Sequence, residues 1–209
     1  MTGLADFYSG FGGSRYGDTN TEYTDSTGHV TSAVTFGGII TDLSASVTSG
    51  SRTSPILAEV CAAIGSNAVP NGFYPVYVDA PRGHSRFCAW HSVGTCPNGT
   101  TVQFAFFYNL DGDAGCDPQD SSGLHSQGLA ALANVSGHET SEMLTDPHVN
   151  AWFDLNGEEN ADKCAWTFGT ESTAAIGNGS KYNMTLGTRQ FLIQQNWVNA
   201  SGGYCSKSY

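Results

Sequence analysis

The chain has 209 residues and a mass of 22.0 kDa, enough for one domain that buries about 70% of the surface its unfolded form exposes. Nineteen acidic residues against eight basic ones leave a net charge of −11, which argues against partners that are nucleic acids or anionic membranes. With 39% hydrophobic and 11% aromatic residues, and no apolar run of membrane-spanning length, the composition is that of a folded globule.

The opening MTGLADFYSG lacks the basic start and apolar core of a secretory signal. Six cysteines, Gly-rich turns and scarce Lys nonetheless point to an extracellular protein in mature or trimmed form. Residues 1–52, rich in Gly, Ser, Thr and Tyr, predict one or two strands joined by turns, with β-type alternation in 30-VTSAVTFGGII-40. The run 54-SPILAEVCAAIGSN-67 predicts a short helix, with Pro55 at its start, apolar residues at helical spacing and Gly65 near its end. The aromatic, β-branched runs 73-FYPVYVDA-80 and 102-VQFAFFYNL-110 predict central strands. Between them, residues 81–100 form a loop or hairpin, in which His84 and His91 are taken as polar loop residues.

The next stretch, 111-DGDAGCDPQDSS-122, is an acidic loop. Asp111, Asp113 and Asp117 hold the first, third and seventh places of a calcium-loop pattern, but Ser122 stands where the twelfth-place Glu is needed. A solvated loop is the preferred reading. From 123 to about 145 a helix is predicted, with Leu124, Leu129, Leu132 and Met143 at its apolar positions and Pro147 as its stop. A strand-like 190-QFLIQQNWVN-199 follows, giving an α+β chain without repeats or linkers. No cysteine pair has C-x-x-C spacing, so three disulfides are expected, with Cys164–Cys205 tying down the C-terminal segment and Cys88 joined to Cys96 or Cys116.

Chemistry concentrates in 138-HETSEMLTDPH-148. On a helix His138 and Glu142 lie one turn apart on the same face and can grip one ion. Glu139 stands where zinc peptidases carry the residue that polarises water, and carboxylate oxygen is a competent zinc ligand in place of the second His. Glu159 or Asp162 would complete the set, with Asp146 as a further ligand or as a partner holding His138. His148 has the offset of a third His in a longer zinc motif, but Thr145 replaces the Gly that motif needs and Pro147 intervenes. The plain alternative is an amphipathic helix with a solvated acidic face, and calcium on Glu142, Asp146, Glu159 and Asp162 competes with zinc. Trp90, Trp152, Trp166 and Trp197 are core candidates, any exposed one being able to stack on a sugar.

Taken together, 11-FGGSRYGDTNTEYTDSTGHVTSAVTFGG-38, 73-FYPVYVD-79, 87-FCAWHS-92, 104-FAFFYN-109, 138-HETSEMLTDPHVNAWFD-154, 157-GEENADKCAWTF-168 and 181-KYNMTLGTRQFLIQQNWVN-199 resemble, in that order, bacterial members of the EXORDIUM-like, or phosphate-induced protein 1, family. That family reads H-E-x-x-E-x-x-T-[DN]-P, then A-W-[YF], then an acidic E-x-x-D-x-C turn. Those positions fall on His138, Glu139, Glu142, Thr145, Asp146 and Pro147, then on Glu159, Asp162 and Cys164. The middle departs from the family, with a shorter cysteine pattern and an additional Cys61, so no disulfide pairing carries over.

The resemblance implies one zincin-like domain over residues 1–209, with a twisted mixed sheet, an active-site helix around 125–145 and disulfide-stapled loops. It implies a secreted zinc metallopeptidase that takes a peptide or protein substrate, with His138, Glu142 and either Glu159 or Asp162 on zinc and Glu139 as general base. Carboxylate in place of the second His would weaken the metal as a Lewis acid and favour slow turnover or a neutral-to-high pH optimum. The rival expectation is a non-catalytic extracellular or cell-wall protein that binds polysaccharide or uses the carboxylates as a structural calcium site.

Overall fold

The computed structural model describes residues 2–26, 28–44, 49–120, 125–174 and 181–209. In chain order its elements are α1 (Thr2–Phe11), β1 (Thr24–Asp25), β2 (Gly28–His29), α2 (Thr53–Ile64), β3 (Phe73–Pro81), β4 (Ala89–Thr95), β5 (Thr101–Asn109) and α3 (Gln127–Thr145). Short strands follow: β6 (Ser172–Thr173), β7 (Lys181–Tyr182), β8 (Met184–Leu186), β9 (Arg189–Phe191), β10 (Asn196–Val198) and β11 (Tyr204–Ser206). The fold is α+β with a mixed sheet.

In that sheet β5 is central, parallel to β3 on one side and antiparallel to β4 on the other. Of the two runs expected to be central, only 102–110 is. Phe73–Pro81 is an edge strand, and two prolines fit an edge because a missing N–H there breaks no ladder. The segment expected as a loop or hairpin contains a full strand, β4, paired with β5 from Ala89↔Phe107 to Thr95↔Thr101.

Helices cover both faces of this sheet. A Cβ placed on Gly94 would meet Leu57 of α2, whereas His91 reaches Glu142 of α3. Side chains an odd number of residues apart on a strand point to opposite faces, so α2 and α3 lie on opposite sides. Trp90, Phe104 and Phe106 therefore pack with Ile56 and Val60 on the α2 side. On the α3 side Tyr77 stacks on Phe107 at 4.5 Å, and its hydroxyl meets Ser136 Oγ at 2.7 Å. Covered twice, β5 is buried from Val102 to Tyr108.

The N-terminal region departs from expectation. Residues 2–11 form a helix whose Leu4, Phe7, Tyr8 and Phe11 are buried at i, i+3, i+4 and i+7, the last three joining a second core with Tyr16, Leu186, Phe191 and Ile193. The expected strand at 30–40 forms no ladder. Its alternation survives as side chains in turn inward, and Val34 and Phe36 pack on that second core.

Three disulfides pin the loops: Cys61–Cys96, Cys88–Cys116 and Cys164–Cys205. The last, whose ends are 41 positions apart in sequence, restricts the unfolded chain by about 4 kcal/mol on loop-entropy grounds. Among the described residues no helix is long and apolar enough to cross a membrane.

Helix α1 docks on the β8–β9 turn through Gly10. A Cβ there would stand 1.8 Å from the backbone nitrogen of Gly187, which is itself held in the turn with φ +59°. Gly10→Ala should therefore destabilise the protein by about 1–3 kcal/mol in urea unfolding. An unchanged midpoint would show that this contact is not made.

Candidate metal centre

Helix α3 begins at Ser126, whose hydroxyl accepts a hydrogen bond from the Leu129 N–H at 3.2 Å, and Pro147 prevents its continuation. Fourteen of its nineteen residues are buried, so it is a central helix and not an amphipathic one with a solvated face. Its innermost positions are small: Ala130, Ala131, Ala133, Ser136, Gly137 and Ser141. Leu129 and Leu132, expected as core residues, are only partly buried, and Leu124 lies outside the described residues. A Cβ on Gly137 would stand 2.8 Å from Ile193 Cγ2, so glycine lets the C-terminal segment approach. The helix's buried polar groups are met by that same segment. Asn134 Oδ1 accepts from the Gln194 N–H at 2.8 Å, and Ser141 Oγ lies 2.8 Å from Asn196 Nδ2.

From this helix His138 and Glu142 project side by side. His138 Nε2 lies 3.0 Å from Glu142 Oε1 and 3.3 Å from Asp162 Oδ1. Glu142 Oε1 also accepts the Asp162 N–H at 3.1 Å, which holds the 3-10 turn Asp162–Cys164 against the helix. On the other side of Glu142, its Oε2 lies 3.8 Å from His91 Nε2, which is 3.1 Å from Glu159 Oε2. Two groups thus share Glu142: His138–Glu142–Asp162 and His91–Glu142–Glu159, the donor atoms of each within 4.8 Å of one another. Either group could hold a metal ion.

His91 is the residue that the loop reading missed. Once 89–95 is a strand, alternation puts Ala89, His91 and Val93 on the α3 face. His91 sits opposite Ala105, whose small side chain leaves room for it. Asp146 lies outside both groups: it is 1% exposed and its Oδ1 accepts the Asn150 N–H at 2.7 Å. His148 and His84 are exposed and belong to neither group. In the acidic loop Asp113 pairs with Arg82 through two hydrogen bonds of 2.7 and 2.8 Å, while Ser122 is outside the described residues.

Glu139 is 4% exposed and makes no hydrogen bond with any described residue. Its charge interacts with His138, Glu142, His91 and Asp162. Burial, reinforced by Glu142 and Asp162 and opposed by the two histidines, pushes its pKa up to about 8. Burial opposes the charge on His91, yet Glu159, Glu139 and Glu142 outweigh it and raise its pKa to about 9. His138 shows the same contest and is raised well above its ordinary value. Glu159 is raised by burial, whereas for Asp162 burial is outweighed by the hydrogen bond to His138, the Glu159 N–H and the charges of His138 and His91 acting together, which lower it.

Nitrogen–oxygen separations of 3.0–3.8 Å would let the donors of either group share one ion. One partner fixes the tautomer of His138 whenever its ring is neutral. Gln194 Nε2 lies 3.0 Å from both His138 Nδ1 and Ala161 O, and Gln194 Oε1 accepts the Trp166 N–H at 3.4 Å. The amide therefore donates to Nδ1 and leaves the proton of a neutral ring on Nε2. Loading an ion at Nε2 moves that proton to Nδ1, which then needs an acceptor.

Comparison with protein-family models, curated proteins and solved structures finds no match to this chain. The geometry stands by itself. Two cavities, of about 620 and 470 Å³, lie elsewhere, and neither is lined by a member of the two groups.

Groups whose pKa is raised by folding stabilise the protein fully below their ordinary value and lose that contribution as pH rises through the raised one. For Glu139 this window runs from 4.5 to about 8, and for His91 from 6.5 to about 9. Asp162, lowered by folding, loses its contribution only as pH falls below 3.8. In chelator, the melting temperature should thus fall steadily between about pH 5 and 9. Added Zn²⁺ should widen the gap as pH rises, because it needs deprotonated ligands. A flat chelator profile would contradict the buried Glu139 and the paired histidines.

Proposed function

We propose that this chain is a secreted zinc-dependent metallopeptidase with a zincin-like core, related to bacterial EXORDIUM-like proteins. The observation that carries the reading is Glu139, a buried carboxylate without a hydrogen-bond partner beside the donors His138, Glu142 and Asp162. A carboxylate so placed is costly unless it meets a cation or a reacting group. Imidazole nitrogens among the donors favour zinc over calcium, which prefers oxygen alone. Three disulfides and an acidic surface accord with a secreted protein.

Held by His138, Glu142 and Asp162, zinc would supply Lewis acidity toward a water and the scissile carbonyl. Proton transfer belongs to Glu139: its carboxylate takes a proton from the attacking water and returns it to the nitrogen of the departing amine. Without a cation it is largely neutral at pH 7, and a divalent charge nearby favours its ionised, basic form. The two anionic ligands keep His138 positioned through the contacts at 3.0 and 3.3 Å.

A non-catalytic reading has one observation in its favour. Trp166, 43% exposed, and Phe168 line the 620 Å³ cavity together with Asp117, Glu171 and Lys181, an aromatic and polar lining suited to a polysaccharide. On that reading Trp166→Ala abolishes retention on insoluble glycan and leaves the metal content unchanged. Retention equal to that of the unaltered protein would dismiss it.

The peptidase reading predicts that Glu139→Gln keeps the fold and the bound zinc but loses about 10²–10⁴-fold in hydrolysis of a peptide library. Unchanged hydrolysis by this variant would defeat the assignment of Glu139.

A further inference from the structure

In the second group of donors, His91 and Glu159 play no part in the reaction just described. This group is no less complete than the first. His91 has a side chain only 6% exposed, and Glu142 one of 4%. Glu159 Oε2 meets His91 at 3.1 Å, while its other oxygen, Oε1, is buried with no hydrogen-bond partner. Unpaired buried carboxylate oxygens are costly, and Glu159 Oε1 is left in that condition beside His91.

We propose that His91, Glu159 and the Oε2 oxygen of Glu142 form a second divalent-metal position, so that Glu142 bridges two ions. The inference rests on reading His138, Glu142 and Asp162 as the first set of ligands. The geometry of Glu142 carries it. Its Oε1 faces His138 and its Oε2 faces His91, each oxygen with its own imidazole and its own second carboxylate. A carboxylate serving one ion has no need of a second imidazole on its other oxygen. In two-metal hydrolases, ions about 3.5–4 Å apart clamp the attacking and leaving oxygens.

Charge points the same way. Glu139, Glu142, Glu159 and Asp162 place four carboxylates around the two imidazoles. With these ionised and the imidazoles neutral, one divalent ion leaves two negative charges uncompensated in a largely buried site, and a second brings the site to neutrality. The rival account is two imidazolium–carboxylate pairs with no ion. It leaves Glu159 Oε1 buried without a partner. The donor types suit Zn²⁺, Co²⁺ or Mn²⁺ and not calcium.

The test is the number of Zn²⁺ ions bound per chain. The full-length chain, stripped by chelator with its disulfides intact, is titrated with Zn²⁺ by calorimetry, and its metal content is measured after gel filtration. About two ions per chain are expected, falling to about one in both His91→Ala and Glu159→Gln. Glu159→Gln keeps the shape of the side chain and guards against misfolding of the histidine variant, with circular dichroism as a control. His138→Ala should also retain about one, and Glu142→Gln should weaken both. One ion per chain, kept in His91→Ala and Glu159→Gln but lost in His138→Ala, would overturn the second position while leaving the single-zinc reading intact. Two ions kept in Glu159→Gln would overturn the ligand set. No Zn²⁺ bound by the unaltered protein would overturn both readings together.

Discussion

Everything in this structure is arranged around the burial of α3. The helix is short of large apolar side chains and carries Asn134, Ser136, Glu139, Thr140, Ser141, Glu142 and Thr145 at buried positions. A helix of that composition gains little from the hydrophobic effect and loses heavily wherever a polar group goes unmet. Its surroundings therefore have to supply partners as well as contact. Sheet residue Tyr77 reaches Ser136, and the C-terminal segment brings Gln194 to Asn134 and Asn196 to Ser141. Small residues on the helix let those partners come close enough, which is why Gly137 lies against Ile193 and Tyr16. The price of this arrangement is that the carboxylates Glu139 and Glu142 are carried inward as well, Glu142 meeting the Asp162 N–H and two imidazoles and Glu139 no hydrogen-bond donor among the described residues.

The sheet answers the same demand from the opposite side. With α2 on one face and α3 on the other, β5 has no solvent-facing side, and its neighbour β4 presents alternate residues to each helix. Trp90 and His91 are adjacent in sequence and end up on opposite faces, one in a hydrophobic core and one among acids. Function and folding thus divide along a single strand by parity.

Much of the architecture was legible in the sequence because its signals are local. Pro55 and Gly65 bracket α2, the aromatic run 102–110 marks the central strand, and Pro147 stops α3. Two elements were hidden by composition. The spacing of Leu4, Phe7, Tyr8 and Phe11 was present, but the Gly- and Ser-rich surroundings favoured turns. Alternation at 30–40 was real and marks one face lying on the core, yet no neighbouring strand exists to pair with it. The centre was half legible. A helix turn sets His138 beside Glu142 by spacing alone, whereas whether Asp162 or Glu159 joins them depends on tertiary placement, and each turns out to attend a different imidazole. His91 depended on knowing that 89–95 is a strand and which of its faces meets α3, information that no local pattern in a Cys-bounded segment contains.

The Cys164–Cys205 bridge ends the turn that holds Asp162. Residue 205 is made long after the helix and the strand that present the two imidazoles, and its sulfur has to be oxidised before that turn is covalently fixed. Assembly of the centre is accordingly ordered in time: a nascent or reduced chain possesses the histidines without the tie that positions one of their acids. Oxidation of residue 205 is therefore the step that locks the turn bearing Asp162 beside His138.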